Sequence, residues 1–215
     1  MSRREELAEK LGQVQAKISQ SNVTLIVVTK TYPASDVQIL HELGVQNFGE
    51  NRSEEGVEKS AIVDATWHFQ GGIQSRKLPD IASWADVIHS LDNSGHITKL
   101  ESATEKELDV FLQLSLDGDP SRGGVIESEL PALADQVLAT NNLNLLGLMC
   151  VPPVAATPQN AFTEISEIHR RFISRYPGAR SLSAGMSGDY EIAMDCGATH
   201  IRVGSSILGS RAPHE

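Results

Sequence analysis

VTLIVVTKTYPASDVQILHELG, residues 23–44, decides the fold. Residues 23–29 are rich in β-branched and aliphatic side chains without strict alternation, the composition of a strand covered on both faces. From Pro33 the apolar positions take up a helical spacing that runs to Leu43 and stops at Gly44, a residue suited to the turn that ends a helix. A strand followed directly by a helix is the repeating unit of a parallel sheet.

Moving outward, the same unit recurs. Residues 45–48 read as a second strand with a polar helix from about Arg52. Residues 66–70 and 76–84, then 86–91 and 96–104, then 109–116 and 129–140 follow the same order. So do 145–151 and 159–176, 180–183 and 189–196, and finally 200–203 with a short helix at 206–208. Eight strands alternating with eight helices predict an α/β chain folded as a single (β/α)8 TIM-type barrel over residues 23–211. The alternative is an open doubly wound sheet, but no GxGxxG turn of the dinucleotide-binding kind follows the first strand. Residues 1–20 predict an extra N-terminal helix: Ser2 as N-cap, Glu5 completing a capping box, and Leu7, Leu11, Val14 and Ile18 on one face. Residues 1–215 are read as one domain.

Composition narrows the function. The chain has 215 residues, 18 Lys plus Arg against 28 Asp plus Glu, and a formal net charge of −10. That field disfavours nucleic acid, whose binding rests on phosphate neutralisation. No segment reaches the roughly 20 apolar residues of a membrane span, and no apolar stretch follows the charged N-terminus as in a secretory signal. With two distant cysteines, Cys150 and Cys196, the expectation is a cytoplasmic protein with reduced thiols.

In such barrels the chemistry sits where the strands end. The seventh and eighth strands run into SAGMSG, residues 183–188, and RVGSS, residues 202–206. Glycines allow close backbone approach, and helix N-termini offer free N–H groups, so the two loops together suggest a phosphate site. Lys30 closes the first strand. An amine desolvated in a barrel mouth becomes a nucleophile toward carbonyls. A Schiff-base lysine set opposite a phosphate site suits either a sugar phosphate or pyridoxal 5′-phosphate (PLP).

Several motifs in order then resemble one family, the PLP homeostasis proteins, which share the barrel of bacterial alanine racemase. They are VVTKTYP from residue 27, FGEN at 48–51, HFQGGIQSRK at 68–77, IHSLD at 88–92, GLMCVP at 147–152, LSAGMSGD at 182–189 and IRVGSSILGSR at 201–211. The resemblance implies that Lys30 binds PLP as a Schiff base and that Ser183, Gly204 and Ser205 hold the phosphate. It implies that Arg202 faces the pyridine nitrogen and that Asn51 and Met186 lie near the cofactor. An arginine there keeps that nitrogen unprotonated and weakens the ring as an electron sink. The function implied is PLP buffering and delivery to apo-enzymes, with no established catalytic residue and no metal, in a protein expected to be monomeric. The alternative is a PLP-dependent amino-acid racemase of low activity. It is disfavoured because the chain stops after the eighth unit, and Tyr32, Tyr176 and Tyr190 do not match the racemase acid/base tyrosine.

The sequence departs from the family pattern at Gly72, Arg76, the pair Arg52–Ser53, Ala184, and Arg122 in place of a loop lysine that can form a Schiff base. His68 and His89 lie on neighbouring predicted strands and can meet in space. Cys150 has no evident base and reads as core.

Overall fold

A computed structural model describes residues 1–209. Eight parallel strands close into a barrel in chain order: β1 (Thr24–Val28), β2 (Asn47–Glu50), β3 (Thr66–Phe69), β4 (Val87–Leu91), β5 (Leu108–Leu114), β6 (Leu143–Cys150), β7 (Ser181–Met186) and β8 (His200–Val203). The ring closes through β1 and β8, with Ile26 level with Arg202. Helices follow each strand: α2 (Ala34–Glu42), α3 (Ser53–Ser60), α4 (Leu78–Trp84), α5 (Ser94–Ala103), α6 (Leu130–Leu138), α7 (Pro158–Arg175), α8 (Tyr190–Asp195) and α9 (Ser205–Leu208). Among the described residues, no helix is long and apolar enough to cross a membrane.

The predicted extra helix is α1 (Arg3–Ile18), with the capping box between Ser2 and Glu5 formed in both directions. Its place explains how a short chain closes this fold. The eighth barrel helix, α9, has four residues, too few to cover the seam between β8 and β1. Helix α1 fills that gap with Leu7, Leu11 and Val14, all buried. It is tied to α2 by Arg3–Asp36 (2.6 Å), to α8 by Lys17–Glu191 (2.6 Å), and to α9 by Arg3 Nη2 donating to the Leu208 carbonyl (3.0 Å).

At the site end of the barrel, two strands run further than the sequence reading. The second strand, expected at 45–48, is Asn47–Glu50, so Glu50 is a strand residue with a fully buried side chain. The seventh, expected at 180–183, is Ser181–Met186. Both errors arise from small and polar residues that look like loop but still pair in a parallel ladder. The predicted barrel limit of 211 falls outside the described residues.

The main core lies between barrel and helices. Inside the barrel, Val87, Phe111 and Met149 form a separate small apolar layer. Above and beside it the interior is polar, lined by His68, His89, Ser183 and Arg202, all buried. Phe111 links the two layers, stacking on His89 (4.6 Å between centroids) and meeting His200 edge-on (5.2 Å).

Candidate functional site

A cavity of about 640 Å³ opens at the C-terminal ends of the strands. Its walls include Lys30 after β1, Asn51 after β2, Gln70 after β3, Met186 at the end of β7 with Ser187 and Gly188 after it, Arg202 on β8, and Gly204 and Ser205 beyond β8. Six of the seven residues singled out in the sequence therefore share one cavity. Ser183 does not. Strand β7 continues three residues further than expected, which leaves Ser183 at the barrel floor, fully buried beneath Arg202. The serine that reaches the cavity wall is Ser187. The lysine and the β8 loop are also side by side rather than opposite, because β1 and β8 are paired neighbours.

Ser187 organises the anion end. Its Oγ accepts from the backbone N–H groups of Gly204 (3.2 Å) and Ser206 (3.3 Å), and Ser206 Oγ donates to the Ser187 carbonyl (3.3 Å). Two backbone donors thus converge on one neutral oxygen through long bonds, a set that an anionic oxygen would satisfy better. Gly204 is needed for the approach: a Cβ there would lie 3.1 Å from the Val28 carbonyl oxygen. Across the mouth, Gly71 lets β3 close on Asn51, whose carbonyl oxygen would sit 2.0 Å from an added Cβ. Gln70 Nε2 is buried without a hydrogen-bond acceptor, which leaves a donor to be satisfied by a ligand or water.

Arg202 forms part of the inner wall. Nη1 donates to Ser183 Oγ (2.6 Å) and Nη2 to the Cys150 carbonyl (3.1 Å), both neutral groups. Burial lowers its pKa to about 10, so it remains a cation at neutral pH. A buried cation supported by neutral partners favours an electron-pair donor and opposes any protonated ring nitrogen placed against it.

From Ser183 a chain of hydrogen bonds crosses the barrel floor. His89 Nδ1 lies 2.9 Å from Ser183 Oγ, His89 Nε2 lies 2.9 Å from His68 Nδ1, and His68 Nε2 lies 3.0 Å from Asn47 Oδ1. Asn47 Oδ1 can only accept, so His68 carries its proton on Nε2. With both rings neutral, the remaining directions follow: His89 donates from Nε2 to His68, and Ser183 donates to His89. The Ser183 lone pairs are thereby left for Arg202. Burial holds His68 down to about 3, and burial together with the nearby Arg202 cation holds His89 well below its ordinary value and His200 down to about 4.

A histidine whose folded pKa is depressed stabilises the fold above its unfolded pKa, about 6.5, and that contribution is lost as pH falls toward the folded value. Long-range 15N NMR is expected to show His68 and His89 as Nε2–H tautomers that do not titrate from pH 8 to 5. Unfolding free energy is expected to fall as pH drops through 6.5. Imidazolium signals from His68 or His89 at pH 6 in folded protein would contradict this assignment.

Other features of the sequence have structural roles. Arg122 bridges two loops, pairing with Asp117 (2.9 Å) and donating to the Val151 (2.8 Å) and Pro152 (2.6 Å) carbonyls. Burial pushes the Cys150 thiol up to about 12, which fits a core residue. Ser187 falls inside the loop read from the sequence as a phosphate site but was not singled out there as a binding residue, and neither was Gln70; both line the cavity.

The alanine racemase N-terminal domain family matches residues 3–212. The pyridoxal phosphate homeostasis protein of Corynebacterium glutamicum is 41% identical over 203 residues, covering 89% of this chain and 92% of that protein. That of Pseudomonas aeruginosa is 34% identical, covering 95% and 96%. Among solved structures, PipY of Synechococcus elongatus with PLP bound is 31% identical with a TM-score of 0.85, covering 94% of this chain and all (100%) of that one. Alanine racemase of C. glutamicum shares the fold at 13% identity and a TM-score of 0.78, and 63% of that enzyme is covered.

Proposed function

The chain belongs to the pyridoxal phosphate homeostasis proteins of the alanine racemase N-terminal domain family, and from that premise we propose that it binds PLP in the barrel mouth and takes part in PLP buffering and delivery. The observation that carries the reading is one cavity that joins an amine, a converging pair of backbone donors and a buried guanidinium with neutral partners.

These residues fit the group. The Gly204 and Ser206 N–H groups, with Ser187 and Ser205, supply donors for the phosphate. Arg202 suits an unprotonated pyridine nitrogen, and the unsatisfied Gln70 amide faces a polar substituent or water. Bound PLP supplies an aldehyde and a conjugated ring. Lys30 would supply the amine that condenses with that aldehyde, one water leaving, and would release the cofactor when another amine takes its place, which would be the delivery step. Ser183, His89 and His68 orient Arg202. With the ring nitrogen unprotonated, a substrate carbanion gains little stabilisation, which favours a carrier over a racemase.

The test is a PLP titration followed in visible absorption, run beside an amino-acid panel followed by optical rotation. The expected result is a saturable band near one cofactor per chain, no loss of optical activity, and transfer of the cofactor to an added apo-enzyme. Lys30-dependent racemisation would select the racemase alternative. Absence of the band would remove PLP.

A further inference from the structure

One buried charge cluster grips the chain on both sides of Lys30. Glu50, at the end of β2, is fully buried, and Lys59, on α3, is 3% exposed. Lys59 Nζ donates to Glu50 Oε1 (2.6 Å), to Glu55 Oε2 (3.0 Å) and to the Thr29 carbonyl oxygen (2.9 Å). All three ammonium protons are therefore directed. Thr29 Oγ1 donates to the same Glu50 oxygen (2.6 Å), and the Thr31 backbone N–H donates to Glu55 Oε2 (2.6 Å). Thr29 and Thr31 are the two chain neighbours of Lys30.

Thr31 has a φ of +70°, and among the described residues no other non-glycine residue has a positive φ. A β-branched residue rarely adopts that conformation. Such strain persists where the surroundings over-determine it. Here they do so: Glu55 holds the Thr31 amide, Lys59 and Glu50 hold Thr29, and the Tyr32 N–H closes the turn on the Thr29 carbonyl (3.0 Å). Relaxation of Thr31 to negative φ would break the grip, because φ sets the direction of its N–H against the chain that follows.

We propose that Glu50, Lys59 and Glu55 are positioning residues for Lys30: the cluster holds Thr29 and Thr31 in a strained turn, and the turn delivers the Lys30 amine into the cavity in one direction. The proposal rests on Lys30 being the point of attachment for an aldehyde ligand. None of the three lines the cavity, so they act through the backbone.

The experiment uses Glu55→Ala in the full chain. Two quantities are read: the rate at which the visible band forms on mixing with PLP, and the affinity for pyridoxine 5′-phosphate, which has no aldehyde. The rate is expected to fall about tenfold, as misplacement of a reacting group does, while affinity for the alcohol changes less than about twofold. Adding Thr31→Gly, which relieves the Cβ penalty at positive φ, is expected to bring the rate back to within about threefold of wild type. A packing role for Glu55 on α3 would not be rescued in this way. If Glu55→Ala does not fold, Glu55→Gln keeps an acceptor and loses the charge, and a smaller fall in rate is expected. In ligand-free protein, exchange of the Thr31 amide proton is expected to be faster in either variant.

A wild-type rate in Glu55→Ala, or in Glu55→Gln where that replaces it, overturns the clamp. So does a double variant no faster than the single one. A wild-type protein that forms no band removes the attachment role of Lys30, and the clamp with it.

Discussion

Lys30→Ala protein mixed with PLP is expected to form no imine band and to take up no cofactor on borohydride reduction. Of the lysines, Lys30 alone lines the cavity, and alanine removes the one amine there that can condense with the aldehyde. The rest of the site stays. Ser187, Gly204 and Ser205 still present their donors, so a reversible, phosphate-anchored complex remains, weaker by about a hundredfold, which is about 2.7 kcal/mol. Equilibrium dialysis against PLP measures that residue of binding. A variant that still traps PLP under borohydride at the wild-type level would mean that another amine carries the function.

The second large effect is on stability. Lys59→Met is expected to destabilise the fold by about 3–5 kcal/mol, the cost of leaving a buried charge without its partner. Glu50 is fully buried and bonded to Lys59 and Thr29, with its second oxygen already lacking a partner. Burial raises the Glu50 pKa even with Lys59 present; methionine would raise it further. The sign follows from that direction. A carboxyl with a raised folded pKa binds more protons folded than unfolded between the two values, so stability falls as pH rises through that window. The deficit of Lys59→Met is therefore largest near pH 8 and narrows toward pH 5. Urea unfolding at both pH values measures it. An equal deficit at both would show that Glu50 is not the group left exposed to the loss. Glu50→Gln combined with Lys59→Met removes the charge and is expected to recover part of the stability.

The barrel was legible because alternating strand and helix periods admit few other closures, and all eight strands appear in the expected order. The extents of β2 and β7 were not legible. Gly49–Glu50 and Ala184–Gly185–Met186 lack the β-branched or aromatic side chains that announce a buried strand, and the ladder forms regardless, because parallel pairing is a backbone interaction. One consequence reaches the site: β7 runs on to Met186, so Ser183, which the resemblance sets at the phosphate, lies buried inside the barrel and Ser187 lines the cavity. Lys30 was legible as the residue that closes the first strand; Asn51, Met186, Arg202, Gly204 and Ser205 were implied by the family resemblance, and each stands at or near a strand end. The clamp was hidden for a different reason. Glu55 and Lys59, four apart on a helix, look like an ordinary solvated pair, and only the buried Glu50 and the backbone of Thr29 and Thr31 draw them inward. The histidine pair was visible as two neighbouring strands; its link to Ser183 and Arg202 required the barrel to close.

Attachment of PLP to Lys30 is tested by peptide mapping after borohydride reduction in the presence of PLP. One modified peptide is expected, carrying a single reduced cofactor on Lys30. Modification spread over Lys10, Lys17, Lys77, Lys99 or Lys106, with Lys30 untouched, would contradict it.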